Sequence, residues 1–211
     1  GARRPQFGMY TGRTPYAGGS SVTTQDKALA LSLSRLLPNN IMPDIYEALK
    51  REGRLPAKKD LEQFIGVLRQ GQHQTDPCDA ELITRFEMQA TCPDILITNY
   101  SMLEYMLLRP REDNVWDSTA RWLAESSENK LLFIIDEAHM YRGAAGGEVA
   151  LLLRRLFHRL GIGREKVQFI LTTASMPDQS PEDAEAVQRF ACQLTCSGEN
   201  KFRYLFGTKE S

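Results

Sequence analysis

The sequence predicts an α/β fold built on a parallel sheet, and three observations point there. Short aliphatic or β-branched runs stand at 94–98 (DILIT), 131–136 (LLFIID) and 167–172 (VQFILT), each followed by turn or helix signals. Continuous apolar runs of this kind suit strands covered on both faces, the situation of a parallel sheet. Helical patterns at 101–108, 118–124 and 147–160 separate and follow them. In the last of these Val149, Leu152, Leu153, Leu156, Phe157 and Leu160 keep to one stripe at helical spacing. Two weaker strands, at 7–11 and 202–206, bring the expected number to five and the reading to a doubly wound α/β arrangement.

Residues 16–92 break the alternation. After a Gly/Ser/Thr-rich entry (YAGGSSVTT) they carry helical signals at 25–37, 43–52, 57–70 and 79–90, punctuated by Pro38, Gly53 and Gly71. The third is the clearest, with Leu61, Phe64, Ile65 and Leu68 on one face, Pro56 near its first turn and Gly71 beyond its end. The expected organisation is an α/β body at 1–15 and 93–211 with an all-helical insertion at 16–92.

Composition narrows the functional classes. Hydrophobic residues make up 42% of the 211, and 26 Lys+Arg balance 27 Asp+Glu to a net charge of −1. A globular core is available, and nucleic-acid binding would have to come from a local basic strip and not from a global field. The longest apolar run, 131–135, is far short of the roughly 18 residues of a membrane span, and the start GARRPQFG lacks a signal-peptide core. A soluble, cytoplasmic protein with no membrane partner is expected. Cys78, Cys92, Cys192 and Cys196 are too sparse for a disulfide scaffold. Only Cys192 and Cys196, four apart, raise a zinc reading, and the close-paired spacing of zinc knuckles is lacking.

The chemistry concentrates at Asp136-Glu137-Ala138-His139, at the carboxyl end of the aliphatic run 131–135. Nucleotide hydrolysis needs one carboxylate at a strand tip to hold Mg²⁺ and a second to orient or deprotonate water. Adjacent acids there serve both needs; the alternative is a surface turn that happens to contain Asp-Glu.

At these residues the chain resembles a superfamily 2 helicase of DEAD/DEAH type, in which DEAH is motif II. Thr98-Asn99-Tyr100-Ser101-Met102-Leu103 looks like motif Ib, Thr173-Ala174-Ser175 like a variant of motif III, and Tyr10-Thr11-Gly12 like a glycine-containing turn ahead of motif Ib. The longer string DEAHMYRGAAGGEVALLLRRL is similar to the DEAH-x-YRG helicases, which include the bacterial mitomycin-repair helicase and large helicases of phage-defence systems. The resemblance implies a RecA-like first helicase domain of the P-loop NTPase type, using ATP and Mg²⁺. It implies that Asp136 binds Mg²⁺–ATP, that Glu137 is the catalytic base, and that His139 couples the nucleotide to the hydroxyls of Thr173 and Ser175 about the small Ala174. The usual Ser-Ala-Thr is here Thr-Ala-Ser, which keeps both hydroxyls.

For nucleic acid, DNA ahead of RNA, the candidates are Gly12, Arg13, Thr98, Asn99, Tyr141 and Arg142. Short polar groups at strand ends and helix starts reach phosphates, and an aromatic beside a guanidinium can meet a base stack. Thr98-Asn99 reads equally as an N-cap for the following helix, and Arg142 as a salt-bridge partner of a neighbouring acid. No G-x-x-x-x-G-K-[ST] phosphate loop occurs in the 211 residues. The expectation is a RecA-like sheet lacking its phosphate-loop strand, inactive alone and completed by a second RecA-like lobe of a longer, bacterial parent. Two alternatives stand: an inactive interaction domain binding a protein through 16–92, and a double-stranded DNA translocase of a restriction or defence system.

Overall fold

A computed structural model describes residues 3–14, 23–70, 75–173, 181–198 and 202–205. In chain order the elements are β1 (Phe7–Tyr10), α1 (Thr23–Ser34), α2 (Pro43–Arg51), α3 (Leu61–Arg69), β2 (Glu81–Leu82), α4 (Arg85–Thr91) and β3 (Ile95–Thr98). There follow α5 (Tyr100–Leu108), α6 (Asp113–Glu125), β4 (Leu131–Ile135), α7 (Ala144–Leu160), β5 (Val167–Leu171) and α8 (Pro181–Thr195), with short 3-10 turns between them. All described strand pairs are parallel, so the chain is mixed α/β as its apolar runs predict. It divides into two compact units, Gly1–Ser118 and Thr119–Ser211, the division falling inside α6.

In the first unit the sheet order is β2-β1-β3, with Phe7 opposite Ile95 and Tyr10 opposite Thr98. The helices of 23–70 form a core of their own from Leu29, Ala30 and Leu33 of α1 and Phe64, Ile65 and Leu68 of α3. The helix α3 begins at Leu61 and not near Pro56, because the Asp60 side chain accepts from the Gln63 amide and caps it there. Residues 16–92 also supply one short strand, β2, where their pattern suggests helices alone. It is held by Phe7 N–H on the Ala80 carbonyl and by its parallel pairing with β1. Immediately after it Thr84 and Glu87 form a capping box that starts α4, later than the helical pattern at 79–90 suggests.

Two buried polar clusters brace this unit. The Lys58 side chain is fully buried, its Nζ 2.5 Å from Glu87 Oε1, 3.4 Å from Asp79 Oδ2 and 4.3 Å from the centre of the Phe64 ring. Glu87 also accepts from Thr75 Oγ1 and from the amides of Ile83 and Thr84, and Asp79 accepts from the Lys59 amide. At the sheet, buried Tyr10 donates its hydroxyl to Glu112 Oε1 at 2.5 Å and accepts from Gln89 Nε2 at 2.7 Å. Burial, then the bond to Glu112, pushes the Tyr10 phenol up to about 12.

In the second unit β4 and β5 pair in register from Leu131–Val167 to Ile135–Leu171. Phe133 and Phe169 meet with ring centres 5.7 Å apart, and Phe157 of α7 meets Phe169 edge-on at 6.4 Å. The opposite sheet face carries Leu132, Ile134 and Ile170, each about half exposed. The stripe along α7 is buried as its spacing predicts. The helix α8, absent from the sequence reading, packs against α7 and buries Ala191, Cys192 and Leu194. The strand expected at 202–206 is not formed: residues 202–205 are irregular, with no strand partner among the described residues, and Phe206 lies outside them. Among the described residues no helix is long and apolar enough to cross a membrane.

Removing the buried cation should leave two carboxylates uncompensated. Lys58→Met is expected to lower the unfolding free energy by roughly 3–5 kcal/mol, read by chemical denaturation against wild type; a loss under about 1 kcal/mol would contradict the buried pair. The raised Tyr10 phenol keeps its proton in the folded chain while the unfolded chain loses it. Its stabilising contribution is therefore complete below about pH 10 and is lost as pH rises towards about 12. Tyr10→Phe is expected to flatten the alkaline limb of stability against pH in that window and to remove the latest phenolate from the absorbance titration.

Candidate active site

The second unit brings the expected motif II residues, Asp136 to His139, to the tip of a two-stranded parallel ladder. Pairing continues one step past both strands: Thr172 N–H donates to the Ile135 carbonyl at 3.0 Å, and Ala138 N–H donates to the Thr172 carbonyl at 2.8 Å. Asp136 and Glu137 are exposed at this edge, whereas Ala138 is fully buried. Glu137 takes a left-handed backbone, φ 50° and ψ 44°, unusual for a residue with a Cβ and costing of order 1 kcal/mol or more. That single residue ends the strand and starts the 3-10 turn Ala138–Met140.

Three side chains converge there on two partners. Asp136 Oδ1 accepts from the Thr172 hydroxyl and, at 3.1 Å, from the Glu137 amide. His139 Nδ1 lies 3.1 Å from Thr173 Oγ1 and 3.2 Å from Glu137 Oε2. The same imidazole nitrogen thus faces a hydroxyl and a carboxylate oxygen. Of the expected motif III residues, Thr173 therefore meets His139, while Ala174 and Ser175 lie outside the described residues. Thr172, which the motif reading passed over, bonds Asp136; only the strand register reveals it.

The chain leaves this turn through Tyr141-Arg142-Gly143. Gly143 sits at φ 64° and ψ −132°, a region closed to other residues, and a Cβ at Gly146 would stand 2.5 Å from the Tyr141 carbonyl oxygen. These two glycines let α7 start directly behind the site. Tyr141 is half-buried and Arg142 exposed.

The donor set suits Mg²⁺. That ion is held by one or two carboxylates together with phosphate oxygens and water, not by an all-protein cage. Asp136 and Glu137 offer hard, exposed oxygens at a strand tip, and the described residues hold no group of three or more candidate ligands. The cysteines Cys192 and Cys196 lie in or just after α8, their thiols near the carbonyls of Gly198 and Ala150.

In the first unit a second tip forms where β1 and β3 end. Thr14 Oγ1 donates to the Met9 carbonyl and accepts from the Thr11 amide at 2.7 Å, closing the turn that carries Gly12 and Arg13. Arg85 Nη2 reaches the Thr11 carbonyl at 2.5 Å and its guanidinium lies 5.3 Å from the Tyr10 ring centre. Thr98 Oγ1 donates to the Tyr10 carbonyl at 2.7 Å, and Asn99 caps α5 by accepting from the Met102 amide at 2.9 Å. Thr98 and Asn99 thus have structural bonds, as their capping pattern suggests, while Gly12 and Arg13 face open surface.

Comparison with known proteins fits this geometry. The sequence matches the DEAD/DEAH box helicase family over residues 28–184. It is 44% identical to the Druantia protein DruE of Escherichia coli over 230 aligned positions, 98% of this chain and 12% of that protein. It is 26% identical to an uncharacterised ATP-dependent helicase of Methanocaldococcus jannaschii over 151 positions, 72% of this chain and 19% of that protein. The chain thus spans less than a fifth of the length of either relative, and no solved structure matches it. With the DEAH residues on a parallel strand tip and a family match over most of its length, this chain belongs to the DEAD/DEAH box helicases.

Proposed function

We propose that the chain is the part of an ATP-driven DNA helicase or translocase of a phage-defence system that carries the hydrolytic carboxylates and one strand-tracking loop. The observation that supports this best is the cluster Asp136–Thr172 and Glu137–His139–Thr173 at the tip of β4 and β5. The defence setting is supported by the DEAH-M-YRG string.

Bound Mg²⁺–ATP would supply a divalent cation that offsets the charge developing on the transferred phosphate. Asp136 would hold that ion; its Oδ1 is engaged by the Thr172 hydroxyl and the Glu137 amide. Glu137 accepts a proton from the attacking water at a carboxylate oxygen. His139 Nδ1 lies against Glu137 Oε2 and also meets Thr173, so a change at the carboxylate is felt at the segment that follows β5. The phosphate-binding loop and the second lobe would come from elsewhere in the full-length protein.

The turn at Thr11–Thr14 is the proposed nucleic-acid contact. Its hydroxyls and carbonyls are engaged in holding its shape, and it presents an open Gly12 backbone and the Arg13 cation to phosphate.

Two experiments on the full-length protein test these roles. Glu137→Gln is expected to retain ATP binding and lower turnover by at least a hundredfold, whereas Asp136→Ala should weaken Mg²⁺–ATP binding itself; wild-type hydrolysis by both variants would refute the motif II roles. Arg13→Ala should weaken DNA binding equally across sequences and reduce the slope of log affinity against log salt by about one. An unchanged slope, or a changed base preference, would remove the turn from the nucleic-acid path.

A further inference from the structure

We infer that Thr172 is a positioning residue for Asp136, its hydroxyl fixing which carboxylate oxygen of Asp136 faces the metal ion. The inference rests on the proposed role of Asp136. It concerns a residue outside the Thr173-Ala174-Ser175 triplet, and its basis is the geometry at the end of the ladder.

Thr172 is held from both sides by backbone. Its amide donates to Ile135 and its carbonyl accepts from Ala138, so its Cα is fixed opposite Asp136 whatever its side chain does. From that point the hydroxyl reaches Asp136 Oδ1, the same oxygen that accepts from the Glu137 amide. Both described donors fall on one oxygen. The terminal torsion of aspartate is broad and roughly two-fold, so an exposed carboxylate by itself samples many orientations. Two donors on Oδ1 select one of them, which leaves Oδ2 as the oxygen that would meet the metal ion.

Magnesium makes such selection consequential. The ion requires near-octahedral geometry at short distances and keeps most of its waters, so a single protein carboxylate must present its lone pair in the right direction. Hydrogen-bonding partners behind a metal ligand generally carry 10–100-fold of the affinity. Threonine suits the place because its branched Cβ favours the extended backbone that ends β5 while its hydroxyl supplies the donor. Valine would keep the first property and lose the second.

The test measures binding and not turnover. A fluorescent mant-ATP probe is titrated onto the full-length protein with EDTA and then at increasing Mg²⁺, giving the Mg²⁺-dependent gain in affinity and its midpoint. Thr172→Val and Thr172→Ala, which both lack the hydroxyl, are expected to raise the Mg²⁺ midpoint about tenfold with the metal-free affinity unchanged. Thr172→Ser should restore the wild-type midpoint. A merely structural role would lower thermal stability and metal-free affinity together, without the rescue by serine, and would overturn the inference. Asp136→Ala separates the two levels of argument. If it abolishes the Mg²⁺-dependent gain while Thr172→Val and Thr172→Ala leave the midpoint untouched, Thr172 has no positioning role and the assignment of Asp136 survives. If Asp136→Ala itself leaves the gain intact, the assignment of Asp136 fails and the inference falls with it.

Discussion

The parallel register of β4 on β5 is the constraint on which the site depends. A constant offset of 36 residues pairs Leu131 with Val167 and Ile135 with Leu171, and two further backbone bonds carry the ladder to Thr172 and Ala138. The contacts that cross the ladder, Asp136 with Thr172 and His139 with Thr173, follow from that offset. A shift by one residue would place Phe133 and Phe169 on opposite faces of the ladder and break their contact. It would also remove Thr172 from Asp136 and Thr173 from His139. Aromatic packing along the ladder thus helps to set the geometry at its edge, because a fixed register fixes which residues meet beyond the last pair.

The site adds a local cost to this global order. Glu137 sits in the left-handed region, and the turn that follows ties Met140 N–H back to the Glu137 carbonyl. Buried Ala138, with its amide on Thr172, is the anchor that keeps this conformation in place. The first unit meets a different cost, that of burying Lys58 among apolar helices. It does so by giving the ammonium two carboxylates and an aromatic face, and by giving those carboxylates backbone amides and hydroxyls. Charged groups so enclosed contribute little net stability, but the loss of one partner is expensive, so they specify how 58–87 folds more than they strengthen it.

The sequence reveals what depends on neighbours along the chain and hides what depends on distance. The strands β3, β4 and β5 were legible because unbroken apolar runs flanked by turns have few other readings, and α7 because six buried residues keep one stripe. The cap at Asn99 and the capping box at Thr84 and Glu87 are spelled out in three or four consecutive residues. The helix α8 was also available: Pro181, Glu182 and Asp183 form a helix start, and Ala184, Val187, Ala191 and Leu194 recur at helical spacing. Residues 202–205 show the opposite error. An aromatic-rich run has strand propensity, but a strand exists only when it pairs, and residues 202–205 pair with none of the described strands. Lys58 with Glu87, Tyr10 with Glu112 and Thr172 with Asp136 are separated by 29, 102 and 36 residues. No local pattern encodes such pairs.

One residue type recurs where strands end, and its chemistry explains why. Thr98 at the end of β3 donates to the Tyr10 carbonyl, and Thr14 beyond β1 donates to Met9. Thr172 and Thr173 beyond β5 meet Asp136 and His139. At the carboxyl end of a parallel strand the ladder stops, leaving backbone carbonyls and adjacent side chains in need of donors. Ligands in open α/β sheets bind at that same end, so whatever supplies the donors also shapes the ligand surface. A β-branched residue extends the strand to its last position, and a hydroxyl then closes the account of hydrogen bonds there. Threonine is the only side chain with both properties. Its two functions can be separated by substitution, since serine retains the donor without the branch and valine the branch without the donor. In this chain the tips of β1 and β3 and the tips of β4 and β5 are built by that one rule, the first toward an open loop with Arg13 and the second toward paired carboxylates.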